Sequence, residues 1–557
     1  MAHRLSRKRV RDAATIESWR RYGEEVFRKA GIPREAVAGT LDRFVGKIVL
    51  PGDKCYDHLR KLFNPLFQSL PSAIVMCETE IDAQMAVMFA AQSGTFLPGP
   101  GGSFPAAITV RSGGHSTAGY SAGSGVLVDV SALNCVTIAD DQSTVTVGCG
   151  CNFGKLIQIL DAHGLHVPTG ECDDVCVGGF VQGGGYGFTS GAFGMNCDNV
   201  VSFRVLLSDG SIVVANETTN QDLWWALRGG TGGNFGIVLS VTYKLYPLGQ
   251  IYGWALAWPL ATSDNRTDAV GALMLLQANY MLTAPQYLTS QVSICYQPDD
   301  PHGAGGPLTP WLLIRGTYAG PDPSTGQSVI APLSDLPGAV MQYSGLDSYG
   351  NLNDALLNFP YSIPPIPDAE GIPNEDKQAR YVARALTQDE WRSILDLFVE
   401  QAPNAGNLWA YMYLEVYGGA INAYPVADSA FIHRDVAFDA CLDVFWAIGS
   451  DPSGAEAFLA NWTQLLETMW NGHIYQNYPN QNVPDYRWNY WGSALQGLIA
   501  AKAKYDSINL FTFPQMVAPY LPGEGRPEQG TPPPPFVAEA LAKPIVIARP
   551  PPATVFS

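Results

Sequence analysis

A lone histidine in a glycine- and serine-rich loop is the first candidate for chemistry. The segment RSGGHSTAGYSAGSG, residues 111–125, surrounds His115 with residues that carry little or no side chain. Glycine permits positive φ angles and lets backbone N–H groups approach a ligand closely, so such a loop is typical of an anion cradle or a tight pocket. We therefore expect His115 to lie beside a ligand.

Two further glycine-rich loops follow in the same half of the chain. In residues 168–200, Cys172 stands just before the run GGFVQGGGYG, and residues 227–238 read LRGGTGGNFGIV. Three such loops indicate a long ligand that is contacted by backbone along its length, and a dinucleotide fits that demand. No loop has the G-x-G-x-x-G layout that opens a crossover helix after a strand, so a Rossmann site is not supported.

Two competing chemistries have weaker support. The pentapeptide GYSAG, residues 119–123, matches the nucleophile elbow of a serine hydrolase and would make Ser121 the nucleophile, but an elbow must follow a buried strand and open a helix. Cys172, Cys176 and Cys197 could suggest zinc, yet they lack the close ligand pairs of zinc sites. We therefore predict no metal, and the hydrolase stays an alternative from another class.

Composition limits the partners. The 557 residues carry a formal net charge of −18, which argues against nucleic acid, because such binding needs clustered Lys and Arg. No apolar run is long enough to cross a membrane, and the first residues lack the apolar core of a secretory signal, so the chain as written predicts a cytoplasmic protein. Secretion would require that a leader had been removed.

The periodicity of the sequence predicts the helices and strands that flank these loops. Residues 1–45 read as charged helices, SAIVMCETEIDAQMAVMFAAQSG as a strand and a helix, GVLVDVS as a period-two strand, and FRVLLSDGSIVVAN as a hairpin. From about residue 250 strands alternate with longer helices, two of which start with capping-box spacing at Thr387/Glu390 and Ser453/Glu456. The pattern predicts an α+β protein that ends in a proline-rich tail.

The motifs together resemble the berberine bridge enzyme-like flavoproteins of the vanillyl alcohol oxidase, or PCMH-type, FAD-binding superfamily. The resemblance runs from Gly46 to Gln515 and rests on five segments, which are RSGGHS, the GxC before GGFVQGGGYG, DNVVSFRVLLSDGSIV, DLWWALRGGTGGNFGIV and NYWGSALQGLIAAKAKYDSINLFTFPQ. It implies a PCMH-type two-subdomain FAD-binding domain and a substrate domain with an antiparallel sheet backed by helices. The implied parts are 1–45 extension, 46–249 FAD-binding domain, 250–474 substrate domain, 475–520 C-terminal return and 521–557 tail.

The resemblance also assigns the cofactor. It implies FAD bonded twice, through His115 to the 8α-methyl group and through Cys172 to C6 of the ring, with the pyrophosphate against residues 111–116. Cys176 is a departure, because glycine commonly stands there in the family. The further residues that we expect to contact FAD are Arg111, Ser112, Gly113, Gly114, Ser116, Val175, Gly183, Gly184, Gly185, Asn199 and Ile237.

Substrate chemistry is expected where the sheet covers the flavin. Alternation in YMYLEVYGG puts Tyr411, Tyr413 and Glu415 on one face, and the resemblance makes Tyr475 and Tyr478 of YQNYPN eligible as catalytic base, with Tyr413 next. A tyrosine base needs an acidified phenol, so a nearby cation or hydrogen-bond donor is expected. The aromatic residues that could stack on a substrate are Tyr475, Tyr478, Tyr486, Trp488, Tyr490 and Trp491.

The resulting prediction is an FAD-linked oxidase acting on a small molecule and O₂. It would move hydride from an alcohol, with a sugar or oligosaccharide hydroxyl as the first choice, to FAD and then to O₂, giving H₂O₂. An oxidative cyclase or tailoring oxidase of secondary metabolism is the alternative. Val175 lies where family resemblance places a gate for oxygen, and valine leaves more room there than leucine.

Overall fold

The computed structural model describes residues 44–92, 107–283, 285–298, 307–357, 373–402 and 409–519. The predicted tail and nearly all of the predicted N-terminal helices lie outside these residues. The helices of the α class are Tyr56–Leu59, Glu80–Gln92, Phe153–Asp161, Val177–Gln182, Ser190–Phe193, Gln221–Ala226, Ser263–Tyr280, Gly326–Ser334, Tyr349–Leu357, Gln388–Gln401, Ala420–Ala423, Ser453–Leu466, Tyr486–Trp491 and Leu495–Tyr505. No helix within the described ranges has the length and apolar character needed to span a membrane.

The strands form separate sheets before and after residue 250. Before it lie β1 Lys47–Val49, β2 Ala73–Met76, β3 Ile108–Arg111, β4 Val126–Asp129, β5 Val136–Ile138, β6 Thr144–Gly148, β7 Leu165–His166, β8 Val200–Leu206, β9 Ile212–Asn216, β10 Ile237–Lys244 and β11 Tyr246–Pro247. After it lie β12 Ile251–Pro259, β13 Leu288–Pro298, β14 Leu308–Tyr318, β15 Val340–Asp347, β16 Asn374–Val382, β17 Trp409–Val416 and β18 Phe438–Trp446. This mixture of helices with largely antiparallel sheets confirms the α+β class.

The first glycine loop leaves the end of a parallel strand. In the sheet ordered β1-β2-β4-β3, strand β4 runs parallel to both β2 and β3, and all its residues are buried. The prediction of a half-buried period-two strand was therefore wrong for residues 126–129, because parallel strands of this kind are covered on both faces. Residues 112–125 connect β3 to β4 and begin directly after Arg111, the buried last residue of β3.

The other two glycine loops adjoin an antiparallel sheet ordered β5-β6-β10-β8-β9. Strands β8 and β9 form the hairpin that was predicted around Asp209-Gly210, with Ser202 opposite Asn216 and Leu206 opposite Ile212. The loop that contains residues 229–236 leads directly into β10. The sheet thus brings this loop and residues 172–187 to the same region as the first loop.

The second half is one antiparallel sheet ordered β15-β12-β14-β13-β17-β18-β16. On β17, Met412 and Leu414 belong to a hydrophobic cluster shared with Trp391 and Trp462 of the helices Gln388–Gln401 and Ser453–Leu466. Because successive strand residues point to opposite faces, the residues between them face away from these helices. One face of the sheet is therefore core and the other is free to build a site.

The two predicted capping boxes had different outcomes. Thr387 Oγ1 accepts the N–H of Glu390, whose carboxylate accepts the N–H of Thr387, as the spacing predicts. At the second helix the prediction was wrong, because Pro452 is the N-cap and Ser453 instead donates to the Asp451 carboxylate. A proline that begins the turn thus shifts the helix start by one residue.

The C-terminal segment returns to the first half of the chain. Ile108 of β3 pairs with Phe511, and Lys502 donates hydrogen bonds to the Asp506 carboxylate at 2.6 Å and to the carbonyls of Asn234 and Phe511. Lys502 and Asp506 are fully buried, so these bonds are needed to satisfy their charges. The contacts tie residues 495–512 to the third glycine loop, while the predicted domain boundaries remain predictions.

Candidate active site

A cavity of about 1000 Å³ lies between the glycine loops and the free face of the large sheet. Its wall includes residues 112–117, 170–176, 178–180 and 231–233 on one side. On the other side it includes alternating residues of β13, β14, β16, β17 and β18, and residues 475–479 cross between them. This volume is at the upper end of the range for small-molecule and cofactor pockets.

His115 lies on the cavity wall, stacked on Phe63 with ring centroids 4.3 Å apart. Burial lowers the pKa of its imidazole to about 4, although Asp174 acts in the opposite direction. The ring is therefore neutral at neutral pH, and a neutral imidazole has a nitrogen lone pair that can form a bond. The sequence-predicted position of His115 beside the ligand space agrees with this geometry.

Cys172 is exposed toward the same cavity. Desolvation within the cavity raises the pKa of its thiol to about 12, and the adjacent Glu171 adds to the shift. The thiol is thus protonated at neutral pH and must lose its proton before it reacts, because the thiolate is the nucleophile. Val175 also lines the cavity, one turn further along, and its N–H donates to the carbonyl of Cys172.

The loops approach each other too closely for side chains. A Cβ added to Gly113 would lie 3.1 Å from the Cys176 sulfur, and one added to Gly178 would lie 2.9 Å from Cys149. Gly179, by contrast, has nothing within 4 Å and faces open space. Ser112, Gly113, Gly114 and Ser116 all line the cavity, as predicted for the first loop.

Six of the predicted FAD contacts are absent from the cavity wall that the described residues form, and Arg111 is the first. Its guanidinium is 3% exposed and pairs with Asp129 at 2.6 Å, so its charge is already matched within the sheet. Asn199 donates to the carbonyls of Phe193 and Met195 and thereby fastens a turn. Both side chains are occupied by structural hydrogen bonds.

The remaining four are Gly183, Gly184, Gly185 and Ile237. Gly183 and Gly185 meet the segment of residues 475–477: a Cβ at Gly183 would overlap the side chain of Asn477, and the Gly185 N–H donates to the Tyr475 hydroxyl at 2.8 Å. A Cβ at Gly184 would instead overlap the ring of Phe431. Ile237 is a fully buried core residue. The contact of these four residues with FAD remains a prediction.

The free face of the large sheet supplies rows of polar groups. Tyr411, Tyr413 and Glu415 of β17 all line the cavity, as alternation predicted. Across the ladder, Glu415 lies opposite Gln291 on one side and Asp439 on the other. The same face carries Arg315 of β14 and Lys377 of β16, so the wall combines both signs of charge.

Tyr478 joins this face to the C-terminal segment. Its hydroxyl donates to Oε1 of Glu415 at 2.5 Å. Burial, followed by the Glu415 charge, raises the pKa of Tyr478 well above its usual value, so the expectation of an acidified phenol was wrong. The reason is that its partner is a carboxylate rather than a donor. The Tyr475 hydroxyl instead accepts hydrogen bonds from Gly185 and Asn477.

A buried cation, Lys377, lies beside Tyr413 and Tyr478. Lys377 Nζ donates to the Tyr413 hydroxyl at 3.1 Å and lies 4.5 Å from the ring centroid of Tyr478. Burial alone would lower its pKa, but Asp443 at 3.1 Å and Glu375 at 3.4 Å outweigh that effect and hold the pKa well above its usual value. Lys377 is therefore an ammonium ion, and it is the cation that the sequence argument required.

Of the six aromatic residues that were predicted to stack on a substrate, three do not line the cavity. Tyr475, Tyr478 and Tyr490 line the cavity. Trp491 is fully buried in the core, Trp488 is 53% exposed, and the hydroxyl of Tyr486 donates to the carbonyl of Met516. Trp491, being fully buried, cannot stack on a substrate, so that prediction was wrong, while stacking by Tyr486 or Trp488 remains a prediction.

The competing chemistries gain no support from the geometry. Ser121 lies in a turn that precedes strand β4, and no helix begins there, so the elbow of a serine hydrolase is not formed. Within the described ranges, no group of three or more His, Cys, Asp or Glu side chains converges as metal ligands.

The cavity fits a flavin dinucleotide by a separate criterion. The buried polar atoms on its wall that have no hydrogen-bond partner among the described residues include Thr109 Oγ1, Tyr120 OH and Gln182 Oε1. Buried polar atoms are nearly always paired, so these atoms indicate a bound group with donors and acceptors along its length. They lie with the open backbone at Gly179, His115 and Cys172 around one continuous space.

Comparison with known families agrees with this assignment. The model of an FAD binding domain matches residues 71–216, and the model described as berberine and berberine like matches residues 474–518. The two matches cover the loop of His115, the Cys172 region and the segment that carries Tyr475 and Tyr478. These matches support a berberine bridge enzyme-like FAD-linked oxidoreductase. It binds FAD, and the predicted enzyme class is confirmed.

Individual relatives span nearly the whole chain. A carbohydrate oxidase of Microdochium nivale is 26% identical over 88% of this chain and 96% of its own length. A xylooligosaccharide oxidase of Thermothelomyces thermophilus is 27% identical over 82% of this chain and 89% of its own. The structure of berberine bridge enzyme from Eschscholzia californica superposes with a TM-score of 0.73 at 20% identity, covering 87% and 99%. The last likeness confirms the PCMH-type fold.

Sequence reasoning did not select several wall residues. Lys377, Asp443, Gln291 and Arg315 stand in strands whose partners are distant in sequence, and only the order of the sheet brings them to Tyr413 and Glu415. Period-two alternation gave the face of each strand, but it could not say which strands are neighbours. A buried lysine within NEDKQARYV was the one available signal.

Proposed function

We propose that the protein oxidises the hydroxyl group of a sugar or oligosaccharide, with FAD bonded to His115 and Cys172 and O₂ as the electron acceptor. The single observation that carries the proposal is the short hydrogen bond from Tyr478 to Glu415 on the wall of the cavity that also holds His115 and Cys172. FAD, when bound, supplies the oxidised ring that takes hydride from the carbinol carbon and later passes two electrons to O₂, which gives H₂O₂.

The chain's own task is to remove the hydroxyl proton. Because the pKa of Tyr478 is raised, its phenol is protonated at rest and cannot accept a proton unless it gives one up. Glu415 Oε1 is in place to receive that proton along the 2.5 Å hydrogen bond. As the substrate proton moves to the Tyr478 oxygen, the Tyr478 proton moves to Glu415, and no charge is stranded on the phenol.

Lys377 assists this transfer without touching the proton. Its ammonium group lies 4.5 Å from the Tyr478 ring centroid, where a cation stabilises any negative charge that develops on the ring. It also orients Tyr413, whose hydroxyl accepts its hydrogen bond and adds a polar contact for a substrate hydroxyl. Tyr413 is thus a binding group in this proposal, and Tyr478 is the base.

Attachment of the flavin follows from the chemistry of the two side chains. The pKa of about 4 keeps His115 neutral and nucleophilic across the physiological range. The Cys172 thiol, with a pKa near 12, reacts only after it loses its proton. We therefore expect the bond to His115 to form first and the bond to Cys172 to form second, each replacing a C–H bond of the flavin, with both protons released and the two electrons passed to O₂.

The choice of substrate rests on the polarity of the wall and on the relatives. Gln291, Ser293, Arg315 and Tyr411 present amide, hydroxyl and guanidinium groups across the free face, which suits a ligand with many hydroxyl groups. Tyr475, Tyr478 and Tyr490 offer rings for stacking. Two relatives are named as oxidases of carbohydrates and of xylooligosaccharides.

A substrate panel tests the proposal. Purified holoenzyme is mixed with mono- and oligosaccharides, with aromatic alcohols as the comparison set, and both flavin bleaching without oxygen and H₂O₂ release in air are followed. We expect sugars to bleach the flavin and to yield one H₂O₂ per substrate oxidised. Bleaching by aromatic alcohols alone would contradict the sugar assignment, and bleaching by neither class would contradict alcohol oxidation.

A further inference from the structure

Asp439 is a buried carboxyl that the proposed reaction does not use. It lies on β18 directly opposite Glu415 of β17, and it is fully buried behind the cavity wall. Residues that face each other across an antiparallel ladder have Cβ atoms about 5 Å apart, and like charges in that position repel. Two carboxyl groups are thus held together in the sheet next to the candidate base.

The hydrogen bonds of the two carboxyls are incomplete. Both oxygens of Asp439 and the Oε2 atom of Glu415 have no hydrogen-bond partner among the described residues. Oε1 of Glu415 is the atom that binds Tyr478. Buried polar atoms in such a gap are commonly bridged by an internal water, which would also carry a proton between the two groups.

The charged and phenolic side chains around Glu415 and Asp439 determine which of these groups can gain or lose a proton. Lys377 and Arg380 of β16 are the cations that stabilise a charge on Asp439, and Glu171 is the other carboxyl that acts on Glu415. Burial raises the pKa values of the nearby phenols far above neutrality, so they remain protonated; these are Tyr186, Tyr381, Tyr417, Tyr475 and Tyr478. Two carboxyls with so little compensating charge cannot both ionise easily.

We infer that Asp439 is a positioning residue of the reaction: it and Glu415 act as one acid pair that releases a single proton, and Asp439 keeps the other. This inference rests on the proposed function. With the remaining proton on Asp439, Glu415 is free to receive the Tyr478 proton as Tyr478 takes the proton of the substrate hydroxyl. The pair then holds both protons, and one leaves before the next turnover.

The pair gives the reaction a defined pH dependence. Burial raises the pKa of Asp439 to about 8 and that of Glu415 well above its usual value, and we take about 8 as the pKa at which the pair loses its first proton, so flavin reduction should rise through that pH. The hydrogen bond from Tyr478 draws the resulting charge to Glu415, and the acid proton that Asp439 keeps stabilises that charge by a hydrogen bond, directly or across the bridging water, which lowers the pKa of the pair. Removing this donor must therefore move the rise to higher pH.

The first experiment measures flavin reduction by substrate, without oxygen, across the pH range. In Asp439→Leu, which has a similar size but no hydrogen-bond donor, we expect the midpoint to move upward by about one unit, while Asp435→Asn, an exposed neighbour, keeps the wild-type midpoint. An unmoved midpoint would mean that Asp439 only fills space. A downward shift would mean that it is a permanent anion that repels the charge of Glu415, and either result overturns the inference.

The second experiment needs neither substrate nor a stable variant. Infrared spectra of the wild-type holoenzyme should show a protonated carboxylic acid band that loses part of its intensity as pH rises through about 8, beside the band of Asp443, whose pKa burial raises to about 7. The difference spectrum against Asp439→Leu assigns that band to the pair. A wild type without such a titrating band overturns the inference even if Asp439→Leu fails to fold. If no alcohol bleaches the flavin while the band titrates, the proposed function fails and the acid pair stands.

Discussion

The hydroxyl of Tyr478 and the carboxylate of Glu415, 63 residues apart in sequence, are joined by a hydrogen bond of 2.5 Å inside the cavity. Glu415 is fixed by the ladder of β17, and Tyr478 lies in the segment that returns from the large sheet to the glycine loops. The bond therefore connects the substrate face of the cavity to its FAD side.

Glu415→Gln should slow flavin reduction by roughly 10²-fold or more, which is the usual loss when proton transfer is disabled. Glutamine fills the same space and accepts the Tyr478 hydrogen bond, but it cannot take the proton. Anaerobic stopped-flow mixing with substrate measures the rate, and flavin content should be unchanged. Glu217→Gln, at an exposed position, is the matched control. A wild-type rate in Glu415→Gln would remove Glu415 from the reaction.

Substitutions of Tyr478 and Tyr475 should have different effects on flavin reduction and on stability. Tyr478→Phe should slow flavin reduction by roughly 10²-fold or more. Tyr475→Phe leaves the buried Gly185 N–H without its acceptor, so it should lower the free energy of unfolding by about 1–3 kcal/mol with a smaller effect on the rate. Thermal melts and stopped-flow traces of both variants provide the comparison. If both reduce at the wild-type rate, the base lies elsewhere and Tyr413→Phe is the next variant.

Alternation within single strands predicted several residues of this site. The residues that it missed are brought to the site by pairing between strands that are distant in sequence. Alternation placed Tyr411, Tyr413 and Glu415 on one face correctly, because the side-chain period of a strand is a local property. Lys377 became visible only when β16 was found beside β18, a pairing that short-range sequence cannot specify.

The glycine clusters show the same division. The sequence identified loops that approach a ligand, and the first loop does line the cavity. Gly183 and Gly185 have equally permissive backbones, yet they contact Asn477 and Tyr475 of the chain itself. A glycine-rich sequence predicts close approach to the backbone, but it does not distinguish a cofactor from another segment of the chain.

Lys377→Met should destabilise the protein and slow flavin reduction together. The change leaves Asp443 and Glu375 buried without their cation, which typically costs about 3–5 kcal/mol. Lys504→Met is the matched control, because Lys504 pairs with Asp222 at the surface, where ion pairs contribute about 0–1 kcal/mol. Chemical denaturation of both variants checks the difference. Equal stability losses would show that the Lys377 cluster is not a buried charge network.

Val175→Leu should slow the reaction of reduced flavin with oxygen and leave reduction by substrate nearly unchanged. Val175 lines the cavity and is held by the hydrogen bond of its N–H to the carbonyl of Cys172, so a longer side chain must occupy cavity space. Stopped-flow mixing of the reduced enzyme with aerated buffer gives the rate. Slow reoxidation in the wild type, together with fast turnover on a quinone, would make the protein a dehydrogenase.

Acid denaturation of the purified holoenzyme shows whether FAD is bonded to His115 and Cys172. We expect the yellow colour to stay in the precipitate in the wild type and in each single variant, His115→Ala and Cys172→Ala, because one bond is enough to retain the flavin. Only the double variant should release it into the supernatant. Release of the flavin from the acid-treated wild type would contradict the account.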